Sequence, residues 1–266
     1  MTAIALTIAG SDSGGGAGIQ ADIKTFSALG VYGTSVLTAI TAQNTRGVTA
    51  IENLSPAIIR AQIDAVLSDI AVGAIKIGMV STVETIDTIA EALNRWQRKA
   101  VVDPVMVATS GDRLLQPEAV EALRQQLLPL AFVLTPNLPE AALLTGTPAA
   151  ETEREMARQA ELLLKLGPAA VLIKGGHGLT SLSTDLLFDG TSVMRFDGPR
   201  LVTTHDHGTG CTLAAAIASG LAKGLDLPVA IGEAKAYLTA AMAAADGLNV
   251  GQGRGPVHHF HRWWAA

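Results

Sequence analysis

Cysteine is almost missing from this chain: Cys211 is the only one in 266 residues. That excludes an intramolecular disulfide and a cysteine-based zinc site. Aromatic residues make up only 4% and charged residues only 16%. No basic run occurs, and the formal net charge is −5 with a pI near 5.7. The electrostatic footprint of a nucleic-acid or anionic-membrane binder is therefore absent. No apolar run approaches the ~20 residues of a membrane-spanning helix. The opening MTAIALTIAGSD has no basic segment leading into a long apolar one, as a secretory signal needs. A cytoplasmic protein is expected. Two phosphate-binding fingerprints are also missing, GxGxxG and GxxxxGK[ST]. Any phosphate must be held by backbone amides and a few cations.

What is there is apolar: 48% of residues, much of it alanine. The length suits one large α/β domain spanning 1–266, since such folds run to roughly 200–250 residues or more. Short, nearly continuous apolar runs at 3–9, 35–41, 74–79, 100–106, 131–135 and 169–174 read as strands covered on both faces. Helical stretches separate them. Ser55-Pro56 reads as a cap and first position. Ser81-x-x-Glu84 and Thr152-x-x-Glu155 read as capping boxes, and Gly30 and Gly167 as helix stops. The Ala-rich stretches 209–224 and 228–246 read as helices. This alternation predicts a three-layer α/β/α fold around a mostly parallel, doubly wound sheet. Residues 184–203 differ. They read as an antiparallel edge hairpin with turns at Asp189-Gly190 and Asp197-Gly198.

Ligands of such sheets bind beyond the carboxyl ends of the strands, and there the polar residues gather. In order these are Gly10-Ser11-Asp12 with the glycine run 14–18, Gln43-Asn44-Thr45, Met79, Asp103-Pro104-Val105, Thr135-Pro136-Asn137 with Glu140, and Lys174-Gly175-Gly176-His177. Gly208-Thr209-Gly210-Cys211 opens an Ala-rich helix. Amides at a helix start form an anion site that could stabilise a transferring phosphoryl group. Cys211 reads either as a small buried hydrophobe or as a base whose thiol pKa is lowered by the helix start. Asn137-x-x-Glu140 reads either as a hydrated Mg²⁺ site or as a helix cap. Asp103, set in an apolar strand, needs a partner or a cation. Lys174 reads as a phosphate partner or a solvated strand end. The final HHFHRWW matches no metal spacing and reads as a packed tail.

Taken together, AGSDSGGGAGIQADIKTFSALGVYGTS, TAQNT, KIGM, DPVM, TPNLPEA, LIKGGH, HGTGCTLAAAIA and GPVHHFHRWW resemble the hydroxymethylpyrimidine/phosphomethylpyrimidine kinases, in order and over nearly the whole chain. The resemblance implies a ribokinase-like fold, use of ATP and Mg²⁺, and a homodimer. It implies phosphorylation of 4-amino-5-hydroxymethyl-2-methylpyrimidine and then of its monophosphate, in thiamin biosynthesis. By this resemblance Gln43 reads the ring nitrogen and 4-amino group, a position where some relatives carry glutamate. Asp22 and the Gly10 backbone add ring contacts, and Met79 and Val105 form apolar walls. Cys211 faces the hydroxymethyl group, with the amides of Gly208, Thr209 and Gly210 as the anion hole. Lys174 touches ATP phosphate. Asn137 and Glu140, with Asp103, hold Mg²⁺.

The rival assignments are a pyridoxal/pyridoxine kinase, whose substrate is also a six-membered nitrogen heterocycle with a hydroxymethyl arm, and a non-catalytic pyrimidine binder. A nucleotide-dependent oxidoreductase would require the missing GxGxxG.

Overall fold

A computed structural model describes residues 1–106, 115–176 and 182–264. His177, singled out above, lies outside the described residues. In chain order the elements are β1 (Ile4–Asp12), α1 (Gly18–Ala28), β2 (Tyr32–Asn44), β3 (Gly47–Asn53), α2 (Pro56–Leu67), β4 (Ala74–Ile77), α3 (Val83–Trp96), β5 (Ala100–Val102), α4 (Pro117–Ala122), β6 (Val133–Leu134), α5 (Leu138–Thr145), α6 (Glu153–Leu164), β7 (Val171–Ile173), β8 (Leu182–Phe188), β9 (Val193–Pro199), α7 (Thr209–Ala222) and α8 (Leu227–Ala243).

Among the described residues the nine strands form one sheet in the order β3-β2-β1-β4-β5-β6-β7-β8-β9. The six strands from β2 to β7 are parallel, and β3, β8 and β9 are antiparallel to their neighbours. The chain steps from β1 out to β2 and later returns to the other side of β1 with β4. The direction of winding therefore reverses between β1 and β4, and a crevice opens at their carboxyl ends.

Alternation along each strand sorts the apolar runs onto two faces. Leu6, Ile8, Ile75, Ile77, Val102 and Ile173 pack with α2, α3, α5 and α6. Ala5, Ala74, Val101 and Leu172 pack with Phe26 of α1, Leu213 and Ile217 of α7 and Tyr237 of α8. Small residues on this second face let the alanine-rich α7 lie close to the sheet. Lys76 shares the phase of Ala74, so a lysine enters the core on the side of α1 and α7.

Several local expectations hold. Ser55 Oγ accepts the Ile58 N–H with Pro56 in the first turn. Thr152 and Glu155 form a complete capping box. Others are corrected. The α3 cap is Thr82, whose hydroxyl accepts the Thr85 N–H, not Ser81 with Glu84. Asp189-Gly190 is the β8–β9 turn, but Asp197 and Gly198 lie inside β9, paired with Thr184 and Ser183. Cross-strand pairing outweighs their local turn preference. The second antiparallel edge, β3, was not predicted from GVTAIEN, because it alternates poorly and is largely exposed.

Candidate active site

Asp103 immediately follows β5 rather than lying within it. Its backbone N–H still bonds to the Ile77 carbonyl at 2.9 Å, so the carboxylate is fixed at the sheet's carboxyl end. Only 2% of it is exposed, and its partner is Lys174 at the end of β7, with Nζ 2.6 Å from Oδ1. The Thr135 hydroxyl donates to the same oxygen at 3.2 Å. Glu140 Oε2 lies 4.0 Å from Lys174 Nζ. Burial acts to lower the Lys174 pKa, but Asp103 and Glu140 outweigh it and hold the ammonium above the ordinary lysine range. Burial, reinforced by the Asp103 charge, pushes Glu140 up to about 7 even though Lys174 pulls the other way.

Asn137 Oδ1 accepts the Glu140 N–H, and Glu140 Oε2 accepts the Asn137 N–H, both at 2.8 Å. The pair is therefore a capping box, and the Asn137 oxygen is engaged at the start of α5. Among the described residues no group of three or more His, Cys, Asp or Glu side chains is placed to hold a metal. Asp103 and Glu140 remain as hard oxygen donors, a set that suits Mg²⁺ carrying waters and phosphate oxygens.

The start of α7 meets this cluster directly. A Cβ at Gly210 would lie 3.3 Å from Lys174 Nζ and 3.4 Å from Asp103 Oδ2, so glycine keeps the lysine and the helix start in contact. Gly208 has φ 79°, and a side chain there would strike the Gly16 carbonyl. The glycine run and the helix start thus touch backbone to backbone. Amides of the first turn of α7 have no partner within the helix, as at any helix start, and the Thr209 N–H bonds back to the Asp206 carbonyl at 3.3 Å.

Cys211 is half-buried. Burial raises its thiol pKa; Lys76 opposes that rise, as does a bond from the Gly18 N–H, while Asp22 and Asp103 add to it. The expected lowering by the helix start is overturned, because burial among carboxylates outweighs it. Asp22 is completely buried, with its Oδ2 2.8 Å from Lys76 Nζ and 2.6 Å from the Thr7 hydroxyl. Burial raises its pKa and Lys76 lowers it, leaving it above the usual carboxylate range.

The residues expected to contact the ring stand at or just beyond the carboxyl ends of β1, β2, β4 and β5. Gly10 is buried, and a Cβ there would lie 3.1 Å from Met79 Sδ. Val105 follows Asp103 and is partly buried. Gln43 lines a cavity of about 370 Å³ together with Asn44, Thr45, Arg46, His207 and Arg254. Its Oε1 is 3.1 Å from the Thr41 hydroxyl and its Nε2 is 3.4 Å from His207 Nε2.

Asp12 and His207 had no individual role in the sequence reading. Asp12 accepts N–H bonds from Gly14, Gly16 and Ala17 at 2.8–3.0 Å, which shapes the glycine run into a closed loop. Its Oδ2 also lies 2.9 Å from His207 Nε2. Burial raises its pKa, but His207 and these amides outweigh burial and hold it below the usual carboxylate range. Asp12 sits in AGSDSGGGAGIQADIKTFSALGVYGTS and His207 opens HGTGCTLAAAIA. Their spacing in the chain carried no sign that the two loops meet.

The description "Phosphomethylpyrimidine kinase" belongs to a family model that matches residues 12–258. A hydroxymethylpyrimidine/phosphomethylpyrimidine kinase of Rhizobium meliloti is 67% identical over 264 residues, covering 99% of both chains. Among solved structures, Bacillus subtilis pyridoxal kinase in an ADP complex superposes with TM-score 0.90 at 40% identity, covering 97% of this chain and 98% of that one. The phosphomethylpyrimidine kinase of Clostridium difficile gives TM-score 0.80 at 48% identity, covering 89% and 97%. These neighbours share the ribokinase-like architecture described above. With the family matched from the glycine loop to the histidines of the tail, this chain belongs to the phosphomethylpyrimidine kinase family.

Proposed function

We propose that this protein transfers the γ-phosphoryl group of ATP to the hydroxymethyl oxygen of 4-amino-5-hydroxymethyl-2-methylpyrimidine. It then phosphorylates the resulting monophosphate to the pyrophosphate, in thiamin biosynthesis. One observation carries the reading. At the sheet's carboxyl ends a lysine stands 2.6 Å from one carboxylate and 4.0 Å from a second, packed against a glycine-based helix start. A cavity lined by an amide side chain opens at the end of β2.

The roles follow from charge and geometry. Gln43 offers a donor and an acceptor side by side to the ring nitrogen and its amino group, with Met79, Val105 and the Gly10 backbone as walls. Amides of Gly208, Thr209, Gly210 and Cys211 receive the charge that develops on the transferring group. Lys174 binds ATP phosphate. Asp103 and Glu140, with Asn137 setting Glu140 in place, hold Mg²⁺, which neutralises phosphate charge when bound. A raised thiol pKa keeps Cys211 protonated in the resting enzyme and leaves it no capacity to take up the hydroxymethyl proton. It acts by facing the hydroxymethyl group, and loose phosphoryl transfer asks little of a base.

Two-subunit assembly fits the exposed ribbon β2–β3. The strand β3 stands at the end of the sheet, and Ile40 and Ile51 of the ribbon are exposed, one on each face. The whole chain acts as one domain in the cytoplasm.

Incubation with Mg-ATP and the hydroxymethylpyrimidine, followed by mass spectrometry, tests this reading. Monophosphate followed by pyrophosphate is expected. No pyrimidine product, with pyridoxal phosphorylated in a parallel tube, would move the assignment to the vitamin B6 kinases. Binding without transfer of either would leave a pyrimidine-binding protein.

A further inference from the structure

The chain beyond α8 has no part in the roles above, yet it runs back across the site. Gln252 and Gly253 donate their N–H groups to Thr45 Oγ1 at 3.2 and 3.1 Å, and the Arg254 N–H reaches the Thr45 carbonyl at 2.9 Å. The Arg254 guanidinium pairs with Asp206. Gly255 donates to the Thr204 carbonyl at 3.1 Å and accepts the His207 N–H at 3.0 Å. A Cβ on Gly16 would lie 3.2 Å from Pro256. One segment therefore bonds the end of β2, which carries Gln43, and the loop that leads into the anion hole.

The same segment ends on α7. His259 Nε2 lies 3.1 Å from the Thr212 hydroxyl, and both side chains are buried. The Tyr237 hydroxyl donates to the His259 carbonyl at 2.8 Å and fixes the residue from the other side. Thr212 follows Cys211 directly, and its N–H closes the first turn of α7 on the Gly208 carbonyl at 2.9 Å. Burial, with the nearby charge of Lys24, pushes His259 down to about 3, so the ring is neutral at working pH. A neutral ring can serve the hydroxyl through either tautomer. A hydroxyl inside a helix ordinarily bonds back to its own helix. Here it is directed out of the helix to a residue 47 positions away.

We propose that residues 251–259 form a strap that positions the anion hole, with His259 as a positioning residue acting through Thr212 on the Gly210–Cys211 turn. A displacement of about 1 Å at such a turn is enough to cost up to 10²-fold in rate. The inference rests on the kinase reading, so its test includes a readout independent of turnover. Cys211 is the only thiol, and its rate of alkylation by iodoacetamide reports the geometry of the turn.

His259→Phe, Thr212→Val, the double variant and Thr212→Ser are compared in the full-length protein. Each of the first two should lower kcat about tenfold with KM for the pyrimidine within about twofold, and should shift the Cys211 alkylation rate. The double variant should be no worse than the poorer single one, since the two residues act as a unit. Thr212→Ser should restore both readouts. Unchanged kcat and alkylation would overturn the proposal. So would additive losses, or a loss that follows melting temperature with alkylation unaltered. Should His259→Phe fail to fold, Val against Ser at position 212 decides alone. Should the wild type phosphorylate nothing, the kinase reading fails, and alkylation still decides the strap.

Discussion

Lys76 Nζ stands 2.8 Å from Asp22 Oδ2, and neither side chain has any exposure to solvent. The second carboxylate oxygen of Asp22 has no hydrogen-bond partner among the described residues. Lys76→Met leaves that carboxylate buried and alone, which should cost about 3–5 kcal/mol of stability. Lys76→Met with Asp22→Leu should recover most of it. Urea unfolding of the three proteins checks this, and a single variant as stable as wild type would mean that the pair is not ionised.

Cys211→Ala should lower kcat by at least about tenfold while ATP binding, followed by calorimetry, survives. Because the thiol pKa is raised, alkylation of Cys211 should stay slow at neutral pH and still be climbing above the ordinary thiol range. A plateau by pH 7 would show a thiolate and restore a base role.

Gln43→Ala should raise KM for the pyrimidine about tenfold, the worth of one or two lost hydrogen bonds, with kcat for the bound substrate little changed. Steady-state kinetics at saturating ATP reads this directly. An unaltered KM would place ring recognition elsewhere.

Glu140 holds its proton up to about pH 7. A neutral carboxyl is a poor partner for a cation, so the Mg²⁺ concentration needed for half-maximal rate should rise as pH falls below 7. Glu140→Gln should abolish that step. The sign for stability is opposite. The folded chain keeps a proton that the unfolded chain releases near 4.5, so this group's contribution is full below 4.5 and is lost as pH rises through 7. Thermal melts of wild type and Glu140→Gln should agree near pH 4 and part as pH rises from about 4.5 to about 7, with the wild type becoming the less stable of the two.

The fold was largely legible because its strands are buried on both faces and therefore run apolar without interruption, as β1, β4 and β7 do. The sheet's carboxyl ends were legible for a related reason: Asp103, Glu140 and Lys174 break apolar segments where nothing but a ligand or another charge could use them. What was hidden depends on contacts across the chain. Asp12 meets His207 over 195 positions, and Lys76 meets Asp22 over 54. Lys76 in AIKIGM looks like one polar residue in a strand until α1 supplies its carboxylate. The thiol at Cys211 was read from its helix alone, whereas the buried carboxylates beside it decide the direction of its shift.

The arrangement of the sheet also bears on how the chain folds. Both edges close through hairpins whose first pairs lie close in sequence, Asn44 with Gly47 and Phe188 with Val193. The centre does not: β1 meets β4 with Thr7 beside Lys76, across 69 positions. Loop-closure entropy favours the hairpins early and makes the central pairing late and slow. That late step is also the one that delivers the lysine to the side of the sheet where Asp22 lies. Until β1 and β4 join, the chain has two closed flanks and no crevice between them.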